Sequence, residues 1–263
     1  MSSQAAVSSH DKRTKGPTLT DIYYRWFDVR ACDNAELIRQ SQRLRYQVYC
    51  VETGFENPAD NPEGLEIDAA DAHSLHSLLI HKPSGMVAGT VRLILPDSDS
   101  PDRGLPSIAV SPALRGLGKP TLPPSRTAEI SRFSISKAFR RRVDDGLYPK
   151  SVLETHPDSL GRRALPSITL GLMRAIVAMT RAAEMSHVTA VIEPALERLL
   201  LRLGIRFERT GETVAYHGTR YPVYRDMTEL LAEIYEHNFE VWQAITGDGR
   251  LWPIEGVQER LRA

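Results

Sequence analysis

Cysteine is scarce in this chain: Cys32 and Cys50 are the only two among 263 residues. Two thiols make no disulfide framework, and neither stands in zinc-ligand spacing, which excludes a stapled extracellular scaffold and a structural zinc module. A reducing cytosol is the simplest setting, with Cys50 buried at the end of a helix. Net charge is absent too. The 33 Lys and Arg balance 33 Asp and Glu, so the global basic field of a nucleic-acid binder is missing and any charged docking must be local. No apolar run approaches the roughly 18 residues of a membrane span. Met1 to Thr20 is polar and lacks the apolar core of a signal peptide. The expected location is therefore cytoplasmic, with no nucleic-acid partner and no transmembrane segment. Gly-x-Ser-x-Gly does not occur, and no repeat of solenoid type is present. His73 and His76 lie near acids but lack a third ligand, so no metal site is expected.

What is present reads as one sizeable core with extensions. Apolar residues make up 41% and charged residues 25%, an ordinary globular balance. Residues 1–19 read as a disordered leader, 20–226 as the main domain, and 227–263 as a C-terminal helix and tail packed on it. The aromatic, alternating stretch Ile22 to Cys32 predicts a strand. Asn34 is placed to cap a helix running to about Tyr49, with Leu37, Leu44 and Val48 at helical spacing. Residues 51–73, with Gly, Pro and acids but no period, predict a long functional loop. Leu75 to His81 and Met86 to Leu95 predict a hairpin across Lys82-Pro83-Ser84-Gly85. Residues 96–126 read as an insertion loop, Thr127 to Ser136 as a strand, and 143–160 as irregular. A helix over 162–184, a strand over 188–192, a helix over 194–203 and a strand over 205–209 follow. Val214 to Tyr216 and Tyr221 to Arg225 are expected to pair across 217–220, ahead of one last helix over 227–245. The order predicts an α/β (α+β) fold around one mixed sheet rather than repeated βαβ units.

Three segments carry a resemblance. Arg45-Tyr46-Gln47-Val48-Tyr49 with Phe55 resembles the Arg-x-x-x-Phe and following Trp of acyl-homoserine-lactone synthases. Glu66-x-Asp68-x-x-Asp71 resembles their paired aspartates, and Gly89-x-x-Arg92 their strand arginine. Glu129-x-x-Arg132-Phe133 resembles their Glu-x-x-Arg signature. The likeness spans about residues 25–142. The stretch Ser131 to Arg142 and the segment Asp248 to Pro253 look more like acyltransferases associated with PEP-CTERM/exosortase systems, relatives of long-chain N-acyl amino acid synthases. Tyr49 and Phe55 replace the family aromatics, and the chain has extra loops.

The resemblance implies a GNAT-like three-layer α/β/α fold with a mostly antiparallel sheet and a splayed central strand. It implies an acyltransferase with no tightly bound cofactor. The donor substrate would be an acyl-phosphopantetheine, on acyl carrier protein or coenzyme A, and the acceptor a small-molecule amine. The product would be an N-acyl amino acid or, with S-adenosylmethionine as acceptor, an acyl-homoserine lactone. A lipid product would bring transient contact with a membrane. The reading from another class is a catalytically silent sensor that binds acylated carrier protein.

The residue chemistry fits acyl transfer. A thioester-to-amine reaction needs a neutral amine, a polarised carbonyl and a held oxyanion. A thiol of pKa about 8.5 leaves readily as thiolate, so Pro194-Ala195-Leu196, where GNAT enzymes often carry a Tyr, is tolerated. Glu129 is the candidate base and Arg132 its partner or a carboxylate binder. Three residues apart on a regular strand they face opposite sides, so a shared site requires a bulge or splay. Arg45, Tyr49, Phe55, Asp68, Asp71, Arg92 and Phe133 are the candidate substrate-binding residues. Arg45, Asp68, Asp71, Glu129 and Arg132 also read as a buried ion network tying the loop to the sheet, and both readings can hold at once. Lys137, Arg140, Arg141 and Arg142 form a cationic run suited to a pantetheine phosphate and an acidic carrier protein, or else a solvated turn. The glycine loop that cradles coenzyme A pyrophosphate is missing after the strand; Arg115-Gly116-Leu117-Gly118 resembles it but precedes the strand.

Overall fold

The computed structural model describes residues 18–97, 104–140 and 164–253. Within these, the chain begins with a helix where alternation suggests a strand. Helix α1, Leu19–Trp26, is started by a capping box in which Thr18 Oγ1 accepts from the Asp21 N–H and Asp21 accepts from the Thr18 N–H. Ile22, Tyr23 and Trp26 then fall on one buried face, a helical spacing that the local cap selects over β alternation. Only Phe27–Ala31 is extended, as strand β1. Helix α2, Ala35–Tyr46, starts at Asn34, whose side chain accepts from Leu37 N–H, as expected. It ends in a π-helical turn, Gln47–Glu52, which holds Cys50 buried.

Strands β2 (Ser74–His81) and β3 (Val87–Ile94) form the expected hairpin. The segment after it is not a plain loop. Among its described residues, Pro106–Val110 (α3), Pro112–Gly116 (α4) and Gly118–Thr121 (α5) are short helices. Pro106 and Pro112 open the first two, because proline is preset for a first helical turn and lacks the N–H that would go unpaired there. Strand β4 spans Thr127–Ile135 and is followed by the short helix α6, Lys137–Arg140. Arg141, Arg142 and the expected irregular stretch 143–160 lie outside the described residues, as do residues 1–17 of the expected leader.

Helix α7 (Ala164–Ala182), strand β5 (His187–Ile192) and helix α8 (Pro194–Arg202) follow the expected order. The next strand shrinks to Glu208–Arg209 (β6), paired to the last strand. Val214–Ala215 (β7) and Thr219–Asp226 (β8) close a tighter hairpin than expected, Val214 opposite Arg220 and Ala215 opposite Thr219. The single terminal helix is in fact two, α9 (Met227–His237) and α10 (Phe239–Thr246). Asn238 breaks it: its side chain accepts from Val241 N–H to cap α10 and donates to the Leu203 carbonyl.

Among the described residues, eight strands join one mixed sheet in the order β1-β2-β3-β4-β5-β8-β6, with β7 on β8, and only the β4–β5 pairing is parallel. Adjacent residues of β3 show the layers. A Cβ on Gly89 would meet Leu172 of α7 at 3.2 Å, while Thr90 next to it bonds Ser41 of α2 at 2.7 Å. Helix α7, with α1 and α10, thus covers one face and α2 the other. Gly171 lets α7 settle on the sheet, since a Cβ there would come within 2.4 Å of Leu79.

The central strand is irregular on both edges. Toward β5 it pairs only at Thr127, Ala128 and Glu129, after which the two strands part. Toward β3 the register jumps between Thr90–Ser134 and Arg92–Ser131, so Arg132 and Phe133 together oppose Val91. Arg132 takes a left-handed φ of 50°, which a non-glycine residue adopts only when its surroundings hold it there.

Candidate active site

The bulge decides which side chains meet. Glu129 and Ser131, two apart, share the α2 face, where Arg92 Nε donates to Ser131 Oγ at 2.9 Å. The extra residue turns Arg132 onto that face as well, where it reaches Glu66 and Asp68. The expected irregularity thus brings Glu129 and Arg132 to one side of the sheet.

There the arginines and acids close a ring of alternating charge. Arg45 Nε donates to Glu66 (2.5 Å) and its Nη atoms to Asp71 (2.7 and 3.1 Å). Arg92 holds Asp71 (2.6 Å) and Asp68 (2.6 and 2.9 Å). Arg132 holds Asp68 (3.0 Å) and returns to Glu66 (2.7 Å). Three guanidinium groups face three carboxylates, and the ring is neutral. Helix α2, the 51–73 loop and strands β3 and β4 are locked together by it. The loop end is built for this role: Asp68 and Asp71 form their own capping box at the 3₁₀ turn Ala69–His73. Arg45, expected to pair with Asp68 or Asp71, pairs with Asp71.

Charge states follow from the ring. Burial alone would raise Asp71, but the hydrogen bonds and charges of Arg45 and Arg92 hold its carboxyl well below the usual range. Glu66 and Asp68 are lowered in the same way by their arginines against burial. His76 sits 3.6 Å from Asp71, yet burial and the nearby Arg45 push it down to about 4, leaving a neutral ring beside the carboxylate.

Glu129 stands apart from this pairing. It is 3% exposed and accepts from the Ser107 N–H of α3 at 2.7 Å. Burial pushes its carboxyl up to about 7, against the pull of Ser107, Arg92 and Arg132. A carboxyl poised near neutrality is the state a general base needs.

Beyond Glu129 the parting of β4 and β5 opens a cleft through the sheet. Its interior is apolar, lined by Ile130 and Phe133 of β4, Met173 and Ile176 of α7, and Leu196 and Leu200 of α8. Its polar lining is Tyr49, Ser131, Arg132, Glu193 and Arg220. Tyr49 lies under the Arg132 guanidinium, 5.0 Å from centroid to Cζ. Phe55 stands outside the cleft, half-exposed against His217 (5.6 Å) and Arg220 (5.5 Å). Lys137 is exposed. Arg140 is paired with Glu52 at the end of the π-helical turn.

Several residues here have no place in the sequence motifs read as site residues. Glu66 is one, although it opens the acidic motif: three arginines set against two aspartates leave one positive charge unmatched, and that count points to a third acid. Glu56 lies 3.4 Å from both Arg132 and His217. Burial raises the Tyr216 hydroxyl above its ordinary value, against the pull of the nearby Arg132. Tyr216, His217 and Arg220 come from a hairpin more than 80 positions beyond Arg132, and no spacing links them to it.

Comparison with known proteins agrees with this geometry. Residues 44–147 match the acetyltransferase (GNAT) domain. The chain is 27% identical over 180 residues to an acyl-homoserine-lactone synthase from Aeromonas salmonicida, covering 68% of this chain and 74% of that protein. The corresponding protein of Aeromonas hydrophila is 26% identical over the same shares. Among solved structures, the acyl-homoserine-lactone synthase LasI superposes with a TM-score of 0.53 at 20% identity, over 80% of this chain and 95% of that one. The coenzyme A-dependent synthase BjaI, solved with S-adenosylmethionine and isopentyl-CoA, gives 0.51 at 15% over 90% and 99%. At these identities the superpositions speak for the fold. With a match to the GNAT domain over residues 44–147 and the fold of the acyl-homoserine-lactone synthases, the chain is an acyltransferase.

Proposed function

We propose that the chain moves a medium- or long-chain fatty acyl group from an acyl carrier protein thioester to the amine of an amino acid. The observation that carries this reading is the cleft at the β4–β5 parting: apolar within, charged at its mouth, and adjoining a carboxyl poised near pH 7. An acyl chain suits the interior formed by Met173, Ile176, Leu196 and Leu200. The pantetheine arm then lies between the strands, its carbonyl at the bulge. Arg132 and Phe133 are out of register with β3 there, and we assign the backbone N–H groups of this stretch to the oxyanion.

The acceptor amine attacks the carbonyl carbon, the C–N bond forms, and the C–S bond breaks with the thiolate leaving. Glu129 takes the amine proton. It does not line the cleft, so the proton crosses an intervening group, water or the Tyr216 hydroxyl. The acid ring holds the 51–73 loop as the wall of the acceptor pocket, with Tyr49 and Phe55 as its aromatic surfaces. The run Lys137 to Arg142 docks the phosphate and the carrier protein's acidic surface. The missing pyrophosphate loop favours carrier protein over coenzyme A. The likeness of Ser131 to Arg142 and of the C-terminal segment to PEP-CTERM/exosortase-associated acyltransferases favours an N-acyl amino acid product.

A second reading, S-adenosylmethionine as acceptor with an acyl-homoserine lactone as product, is favoured by the sequence likeness to the Aeromonas synthases. The test is free-thiol release from acylated carrier protein and from acyl-CoA, with pooled amino acids, with S-adenosylmethionine, or with neither. Release that depends on amino acids supports the proposal. Release with S-adenosylmethionine alone selects the second reading, and no release under any condition makes the chain a binding protein.

A further inference from the structure

The arginines of the ring have no charge to spare for a substrate, because each is matched by carboxylates. Arg220 differs. It lines the same cleft, and among the described residues it has no carboxylate within ion-pair distance. Its hydrogen bond runs from Nη1 to the carbonyl of its own neighbour, Thr219, at 3.2 Å. Strand register explains its place. Tyr221 of β8 stands opposite Ile192 of β5, so Arg220 falls one residue further, beside Glu193, where β5 ends and the cleft opens. The guanidinium rests over the Phe55 ring. Gly218 at the hairpin tip has φ +91°, and a Cβ there would press to 3.4 Å from Arg220 Nη1 and 3.9 Å from Phe55.

Glu193 is exposed at this mouth, and of the carboxylates that hold Arg132 two are more open than the third. The side chain of Asp68 is 32% exposed and that of Glu56 30%, against 2% for Glu66. Glu56 follows Phe55 in the chain, so an acid and an uncommitted guanidinium flank one short segment. A ligand bearing an ammonium and a carboxylate on one carbon matches that pair of charges, whereas a plain amine leaves Arg220 unmatched.

We infer that Arg220 binds the α-carboxylate of the acceptor and sets the preference for amino acids over simple amines, an inference that rests on the amine-acylation reading above. The test compares an amino acid with its decarboxylated amine as acceptor, using acylated carrier protein as donor, for the parent, Arg220→Gln and Arg220→Lys. The parent should prefer the amino acid. Arg220→Gln should raise the acceptor KM for the amino acid roughly 10- to 100-fold, the worth of a charge-assisted hydrogen bond, and leave the decarboxylated amine unchanged. Arg220→Lys should recover part of the loss, and unchanged turnover on the decarboxylated amine shows that the variants are folded. A rise in donor KM instead would place the donor phosphate on Arg220 and overturn the assignment. Equal loss on both acceptors, or no loss, would overturn it too, while acylation of neither acceptor by the parent would sink the amine-acylation reading itself.

Discussion

Arg45 of α2 and Arg132 of β4 grip one carboxylate between them. Glu66 takes Arg45 Nε on Oε2 at 2.5 Å and Arg132 Nη2 on Oε1 at 2.7 Å, with its side chain 2% exposed. Removing this carboxylate leaves two buried cations each short of a partner. Glu66→Ala should therefore cost about 3–5 kcal/mol, the usual penalty for breaking a buried pair from one side. Asp68→Ala should cost less, because water reaches that side chain. Urea denaturation of both variants checks the order, and equal midpoints would contradict the ring as the clamp on the loop.

Glu129→Gln should fold and lose turnover. Glutamine keeps the volume and still accepts from Ser107 N–H, but it takes no proton. Turnover should fall by about 10²–10⁴, the typical contribution of a general base. The parent's pH–rate profile should rise through about 7, and the variant's should lack that limb, with partial recovery at high pH. Near-parent turnover at neutral pH would make Glu129 structural.

The same raised carboxyl makes stability fall with pH. The folded value, about 7, exceeds the ordinary 4.5, so below pH 4.5 both states hold the proton and Glu129 costs nothing. Between about 4.5 and 7 the unfolded chain releases its proton while the folded one retains it, and stability declines by about 3 kcal/mol over that window. Asp71, Glu66 and Asp68 act oppositely: their lowered values give stability above pH 4 that is lost on acidification. Comparing Glu129→Gln with the parent isolates the first effect, and the variant should gain relative stability as pH rises from 4.5 to 7.

How far the sequence discloses this arrangement depends on the range of each contact. Asn34, the hairpin at 82–85 and the helix over α7 are local matters of capping, turn chemistry and period, and each is legible. Helix α1 is misread because Tyr23, Trp26 and Phe27 favour strands by type, while the capping box from Thr18 and Asp21 is a two-residue signal. The break at Asn238 depends on a carbonyl 35 residues away, at Leu203. Within the site, Arg45, Asp68, Asp71, Arg92, Glu129 and Arg132 come together as their motifs suggest. Arg220 reaches the cleft through the pairing of β8 with β5, which sequence spacing does not encode.

Arg140 is expected to govern donor docking. Its pairing with Glu52 across the end of the π-helical turn leaves it half-exposed, so an anionic donor must compete with that carboxylate. Converting Arg140, Arg141 and Arg142 to Ala should raise the KM for acylated carrier protein and flatten its salt dependence, with kcat largely kept. Glu52→Ala should lower that KM. A fall in kcat alone in the triple variant would contradict a docking role.

The central claim is that a fatty acyl group passes from a thioester to an amino acid's nitrogen at this cleft. The most direct measurement is mass spectrometry of the product formed from acylated carrier protein and an isotopically labelled amino acid mixture, with the parent and Glu129→Gln side by side. The expected result is an amide whose mass is the amino acid plus the fatty acid less water, carrying the label, abundant with the parent and reduced at least about 100-fold with the variant. Free fatty acid as the only product, or labelled amide in equal amount from both proteins, would contradict it.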